Sequence, residues 1–382
     1  MPKQEWISYT GYVRRPTSTD VFTAATQRIE DAFNNLPDPI FVSFSGGKDS
    51  TVVLMLSLAA ARKFDRLPLK VITVDEEVID PDTTAYIEDV GSWPDVELHH
   101  ICHPIQHTYR SEVRSHWYPW NPAYKNVWAR DMPEKGIQLW DTRLGDGIKN
   151  GYVDLIGAYA MDTLGYPSFT TLSGIRTQES INRLRAMFTS GKHTIVRGPE
   201  TYLKPIYDWS WKDVWHAIRI HGWQYSQFYE KAHMVGKSFH KTRVAVWGNV
   251  SSMSDVKFFQ AFYPDFWERA IKRLPEMATF AKHAQSELFT VKLPPGMTYR
   301  EYTFLLLSAM EDPESKAFWE KQIELYIGRW LARSSEPLPD EPILTTSGYL
   351  TSNSWKNLAN AMARNDLIKD SDTGALGCRD LN

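Results

Sequence analysis

The sequence predicts an α/β protein: a doubly wound, mostly parallel sheet followed by a helical C-terminal lobe. Three observations predict it. Apolar strand-like runs alternate with helical periods through the first half, at 39–44, 69–74, 96–101 and 169–172. Three of these runs end in residues that can carry chemistry, and open parallel sheets hold ligands at the carboxyl ends of their strands. From about residue 255 the strand signals fade and helical periods take over.

Taken in order, Phe22, Ala25, Ile29, Ala32, Phe33 and Leu36 recur at the spacing of an amphipathic helix over 21–36. Pro39 to Phe44 reads as a buried strand, and Thr51 to Ala61 as a buried helix. Leu69 to Val74 is a second strand, ending at Asp75-Glu76-Glu77, and Val96 to Ile101 is a third. An aromatic insertion follows, with His116-Trp117-Tyr118-Pro119-Trp120-Asn121-Pro122 and then Trp128 to Glu134; two prolines exclude a regular helix in its first segment. Phe169 to Leu172 is a fourth strand, ending at Ser173-Gly174. Ser210 and Asp213 frame a capped helix start, Val214, Trp215 and Ile218 form its apolar face, and Gly222 lies just past its end. Helical periods then run over 258–274, 299–310, 315–332 and 354–367, with the Pro-rich stretch 334–342 as a linker. At 382 residues two lobes are expected, divided as 1–250, carrying the insertion 108–165, and 251–382.

Composition excludes several classes. Hydrophobic content of 42% and charged content of 23% are those of a folded globular chain. A net charge of −3 gives no global field for a nucleic-acid backbone, so nucleic acid is not indicated as a partner. No apolar stretch has the length of a membrane helix, and the N-terminal residues lack the apolar core of a signal peptide. The two cysteines, Cys102 and Cys378, cannot by themselves form a four-cysteine iron–sulfur site, so no such cluster is expected. A reduced, cytoplasmic protein is the simplest account.

The most informative motif is Ser45-Gly46-Gly47-Lys48-Asp49-Ser50. Strand, glycine pair and helix start together make an anion site, because glycines let backbone N–H groups approach a phosphate and the helix dipole favours negative charge. Lys48 adds a mobile cation, and Ser45 and Ser50 add hydroxyls. The spacing is not that of the Walker loop, since position 42 holds Val42 rather than glycine. In the second motif, a helix starting near Arg176 would place Arg176, Ser180 and Arg183 on one face, which suits a polyphosphate or sulfate. Asp75 is a candidate for Mg²⁺ or a ribose hydroxyl, or else a polar strand end. His99, His100, Cys102 and His103 alternate between two strand faces, which argues against a metal. The rings of Trp117, Tyr118, Trp120 and Trp128 either pack a core or wall a ligand, and at least one is expected at the pocket.

These motifs, with Leu203-Lys204-Pro205 through Asp208-Trp209-Ser210 and Asp213-Val214-Trp215, resemble the phosphoadenosine phosphosulfate (PAPS) reductase and PP-loop ATP pyrophosphatase superfamily. The aromatic insertion and Ser354-Trp355-Lys356-Asn357-Leu358 are similar to a subfamily of PAPS sulfurtransferase-like proteins that includes immunoglobulin-binding regulator A. The resemblance implies an adenine nucleotide alpha hydrolase-like fold, with ATP or PAPS as ligand and Mg²⁺ as companion. It implies catalytic roles for Lys48, Asp49, Arg176 and Arg183. Nucleotide contacts would fall to Ser45, Gly46, Gly47, Ser50, Asp75, Gly174 and Ser180, and Mg²⁺ contacts to Asp49 and Asp75. Three activities follow: ATP cleavage at the α–β bond to activate an acceptor, PAPS-dependent sulfur-group transfer or reduction, and nucleotide-responsive regulation with a ParB-like protein partner. Reductases of the superfamily use a tail cysteine in a Glu-Cys-Gly context, whereas Cys378 stands between Gly377 and Arg379.

Overall fold

The computed structural model describes residues 18–37, 39–108, 116–145, 151–179, 193–237, 242–244, 256–275, 293–310, 313–332, 334–343 and 353–363. It also describes the hairpin strands Ile7–Tyr9 and Tyr12–Arg14, and Arg183, Leu184, Met187 and Phe239. Two compact units emerge. One comprises 16–107 and 117–275; the other comprises 1–15, 108–116 and 276–382.

The first unit is built on a seven-stranded sheet. Its strands are β1 (Ile40–Ser43), β2 (Leu69–Val74), β3 (Val96–Ile101), β4 (Gly136–Ile137), β5 (Phe169–Ser173), β6 (Thr194–Arg197) and β7 (Glu200–Leu203). They lie in the order β6-β7-β5-β1-β2-β3-β4, all parallel except β6, which is antiparallel to β7. The four expected strands occupy the centre. The sequence reading missed the β6–β7 hairpin and the short β4, which the insertion adds to one edge.

Helices α1 (Val21–Asn35), α2 (Lys48–Lys63), α3 (Pro81–Gly91), α4 (Tyr152–Ala158), α5 (Trp211–His221) and α6 (Phe228–Met234) pack around this sheet. Side chains alternate across it with the strand period of two. Ile40, Val42, Val71, Leu172 and Leu203 face a core shared with Ile29 of α1, Val53 of α2 and Ile218 of α5. Phe41, Ile72, Ile101 and Phe169 face the other way, onto Leu155 and Ile156 of α4. The α5 cap is as expected: Asp213 N–H donates to Ser210 Oγ at 3.2 Å, Ser210 N–H donates to Asp213 Oδ2 at 2.6 Å, and Gly222 closes the helix at φ 62°.

The period over 258–274 resolves into two helices, α7 (Val256–Phe262) and α8 (Pro264–Arg273), because Pro264 restarts the chain. Both belong to the sheet unit, which runs to Pro275. Their anchors explain this. Phe258 meets Phe228 edge-on, Tyr263 Oη donates to Asp82, and Arg273 Nε pairs with Glu77 at 2.7 Å.

The second unit holds α9 (Tyr299–Ser308), α10 (Pro313–Leu331) and α11 (Trp355–Ala363) around Trp319, Tyr326, Trp355 and Leu358. The stretch expected as a linker is integrated here. Leu338 is buried, and the Asp340 carboxylate accepts the Tyr299 and Arg300 N–H groups at the α9 N-terminus. No helix among the described residues is long and apolar enough to cross a membrane.

Candidate functional site

Strand order reverses around β1, whose neighbours are β2 on one side and β5 on the other. The loops leaving β1 and β5 therefore diverge at a topological switch point, where a crevice opens at the carboxyl ends of the strands. The first loop is Ser45 to Gly47. Gly46 takes φ 70°, and a Cβ there would lie 2.7 Å from Thr83 Cγ2, so glycine is required twice over. Gly47 is the N-cap of α2 and brings no side-chain cap to the helix start. Ser50 Oγ donates to Gly47 O at 2.9 Å and accepts the Ser45 N–H at 3.3 Å, holding the loop as a closed turn.

The second loop lies directly against the first. A Cβ on Gly174 would stand 2.8 Å from backbone atoms of Asp49 and Ser50. Arg176 Nε donates to Asp49 Oδ1 at 2.6 Å, and its guanidinium also reaches Trp209 O. Arg176 was expected on a helical face with Ser180 and Arg183. Instead it precedes a 3-10 turn, Thr177–Glu179, and it is buried away from the cavity lining. Ser180 lies outside the described residues.

Lys48 also differs from expectation. It is 2% exposed, its Nζ donates to Thr242 O at 3.1 Å and pairs with Asp49 Oδ2 at 3.3 Å, and its N–H donates to Tyr229 Oη. Burial pulls its pKa below the usual lysine range. This is a fixed charge rather than a mobile one.

The two loops border a cavity of about 400 Å³. Ser45, Gly47, Lys48, Asp49, Ser50, Gly174 and Arg183 line it, as the sequence reading grouped them; Gly46, Asp75 and Arg176 do not. The sequence reading missed Thr171, Glu200, Tyr202, Tyr229 and Arg243 in the cavity's polar lining, whereas Glu179, read there as a partner of Arg183, lines it in that pairing. Glu179 gathers the cations. Its carboxylate pairs with Arg183 and approaches Arg176, and its carbonyl accepts from Arg243 at 2.9 Å. Burial pulls the Arg183 pKa down, as expected of a guanidinium taken out of water. An anion entering here would meet guanidinium groups whose existing partner sits on the same wall.

Asp75 lies elsewhere, in a dense buried network. Its Oδ2 takes His100 Nε2 at 2.7 Å and Arg130, and its Oδ1 accepts the Glu77 N–H at 2.8 Å. Burial alone would raise its pKa, but Arg130 and His100 hold it well below the usual carboxylate range. Glu77, at φ 64°, accepts from Trp120 N–H, Ala129 N–H and Arg273. Trp120 is fully buried on this network, its Nε1 donating to Asp75 O. None of Trp117, Tyr118, Trp120 and Trp128 lines the cavity, which overturns the expected aromatic wall. Trp120 instead closes the acidic strand end, with Trp128 edge-on against it, and the pocket's own aromatics are Phe44, Tyr202 and Tyr229.

The donor set also speaks to magnesium. Asp49 and Asp75 were the expected ligands, yet Asp49 already lies between Lys48 and Arg176, and Asp75 is taken up by Arg130 and the His100 ring. These residues do not fit a protein-held Mg²⁺ site, and the ion would have to be carried by the phosphates of a ligand. Asp75, His100 and Cys102 each offer one atom within 4.8 Å of the others, but Arg130 already balances that carboxylate. Cys102 is fully buried, and burial pushes its thiol far above the ordinary range. Cys378 lies outside the described residues.

Residues 39–263 match the phosphoadenosine phosphosulfate reductase domain family. The chain is 23% identical over 373 residues to YbdN, an uncharacterised protein of Escherichia coli K12, covering 92% of this chain and 89% of that one. It is 25% identical over 240 residues to a phosphoadenosine 5′-phosphosulfate reductase of Alteromonas mediterranea, covering 62% and 82%. Among solved structures, a PAPS reductase of Candida auris in a phosphate complex aligns at TM-score 0.35 and 17% identity, over 59% of this chain and 89% of that one.

Proposed function

Because the chain belongs to the phosphoadenosine phosphosulfate reductase domain family over more than half its length, we propose that its cavity binds an adenine nucleotide and cleaves ATP between the α and β phosphates to activate an acceptor. One observation carries this reading. The glycine loop at the α2 N-terminus and the Arg183–Arg243 side open onto one cavity of nucleotide size. In the reaction a lone pair of the acceptor forms a bond to the α-phosphorus. The bridging oxygen leaves with its electron pair as pyrophosphate, and the acceptor's proton passes to solvent. The loop amides, Ser45 and Ser50 hold the departing phosphates, while Arg183 and Arg243 offset developing charge. Lys48 contributes a fixed positive field from beneath the loop.

A second reading, sulfur-group transfer from PAPS, draws support from the reductase relatives. Its thiol-dependent form gains nothing from Cys102, whose burial hides the sulfur and disfavours the thiolate. Product analysis separates the two. With ATP, the first reading expects pyrophosphate and an adenylated acceptor or AMP; with PAPS, the second expects adenosine 3′,5′-bisphosphate. Arg183→Ala and Arg243→Ala should each weaken ATP binding by about ten- to a hundredfold. Calorimetry showing no ATP binding to the wild type would overturn the proposal. Tight binding without turnover would favour a regulator acting through a protein partner.

A further inference from the structure

Further back along the strands from the glycine loop, the cavity changes character. In a parallel sheet covered on both faces, inward positions are ordinarily apolar. Here Ser43 of β1, Thr171 and Ser173 of β5, and Glu200 and Tyr202 of β7 replace apolar residues, and all five line the cavity. Register puts them side by side. Ser43 stands opposite Ser173, Thr171 opposite Tyr202, and Glu200 opposite Phe169. They form a polar floor that descends from the loop by about 7 Å for every second residue.

Two of these groups are buried hydroxyls: Thr171 is 0% exposed and Ser173 is 6% exposed. Glu200 and Tyr202 stand beside them, and their interactions with Thr171 and Ser173 offset part of the rise in pKa that burial gives each. No well-aligned hydrogen bond reaches either hydroxyl oxygen, so both keep bonding capacity toward the space a ligand would fill. Glu200 is itself 4% exposed and faces the same space. Its nearest cationic influence is Arg197, which is exposed on the edge strand β6. The cavity arginines are gathered at Glu179 beside the loop, and Arg183 extends its influence to the floor at Tyr202 rather than at Glu200.

We propose that Thr171, Ser173 and Glu200 form a sugar-reading subsite that takes the free 2′,3′-diol of a nucleotide ribose and disfavours a 3′-phosphate. This rests on the nucleotide reading above. It makes Glu200 a specificity-determining residue that steers the pocket toward ATP and AMP rather than 3′-phosphorylated nucleotides. A carboxylate accepts hydroxyl donors and two strand hydroxyls complete their pairing, whereas a phosphate there would confront a buried acid.

Calorimetry with AMP, adenosine 3′,5′-bisphosphate, 3′-deoxy-AMP and pyrophosphate tests it on the full chain. The wild type should bind AMP about tenfold or more tightly than either the bisphosphate or 3′-deoxy-AMP. Glu200→Gln should bring AMP and the bisphosphate to within roughly threefold of each other. Thr171→Val should weaken AMP about tenfold while leaving pyrophosphate unchanged. The wild-type comparison needs no variant, so it stands even if a substitution fails to fold. Equal or tighter wild-type binding of the bisphosphate overturns the subsite and leaves nucleotide binding intact. Failure of every nucleotide to outbind pyrophosphate overturns both readings.

Discussion

Arg176 and Asp49 join the two loops of the candidate site through a 2.6 Å bond from guanidinium Nε to carboxylate Oδ1. The pair is largely buried, at 4% and 16% side-chain exposure, and Asp49 also balances Lys48. Its primary work is to hold the first turn of α2 against the segment after β5.

Arg176→Ala should therefore act first on the fold. It leaves the Asp49 carboxylate with Lys48 alone and removes a bond to Trp209 O, a loss on the order of 3 kcal/mol. Urea denaturation checks this. An unchanged midpoint with reduced nucleotide affinity would instead make Arg176 a direct ligand contact.

Trp120→Ala should cost roughly 3–5 kcal/mol of stability, since a fully buried indole and its bond to Asp75 O are both lost. Pyrophosphate affinity of the folded fraction should stay within about threefold of wild type. Thermal melts and calorimetry on the same preparation separate the two effects. A large affinity loss without a lower melting temperature would restore the ring to the ligand pocket.

Asp80 sets a pH dependence. It caps α3 by accepting the Thr83 N–H at 2.8 Å, and burial raises its pKa to about 7, against 3.8 for an ordinary aspartate. Between those values the folded chain keeps a proton that the unfolded chain has released. Stability contributed by this group is thus fully present below pH 4 and falls as pH rises toward 7. Asp80→Asn preserves a capping side chain and removes the titration. The variant should match wild type near pH 4 and exceed it at pH 8 by up to a few kcal/mol. Denaturation midpoints across that range test it; parallel curves for the two proteins would contradict it. The paired Asp75 acts in a different window, losing its contribution only as pH falls below about 4.

Cys102 should resist thiol reagents until the chain unfolds, because burial both hides its sulfur and disfavours the thiolate. In a Cys378→Ser background, labelling with a chromogenic disulfide should track unfolding in denaturant. That background should also retain any turnover. Loss of turnover with binding intact would bring a thiol mechanism back.

The central strands, the glycine loop and the α5 cap were legible because each follows a local rule: strand-like apolar runs, a glycine pair before a helix, or a Ser-x-x-Asp box. The floor of the cavity was not. Glu200 and Tyr202 lie on a short hairpin that turns at Gly198-Pro199, and the pairing of β7 with β5 is a tertiary fact. Asp75 and Trp120 were singled out for the right polarity and bulk, yet their roles depend on Arg130 and His100, residues distant in sequence. Arg176 was misplaced because a 3-10 turn interrupts the helix that its spacing assumed.

Gly174 has a consequence for how this site tolerates variation. A methyl group there meets backbone atoms of Asp49 and Ser50 at 2.8 Å, and neither can swing aside as a side-chain tip would. The two loops are therefore in main-chain contact with no slack between them. A saturation library at this position should contain no graded series: small residues and large ones fail alike, because the first added carbon already collides. Functional clones should return a single letter at 174, while at Gly47, whose nearest contact is a serine hydroxyl at 3.3 Å, alanine should survive.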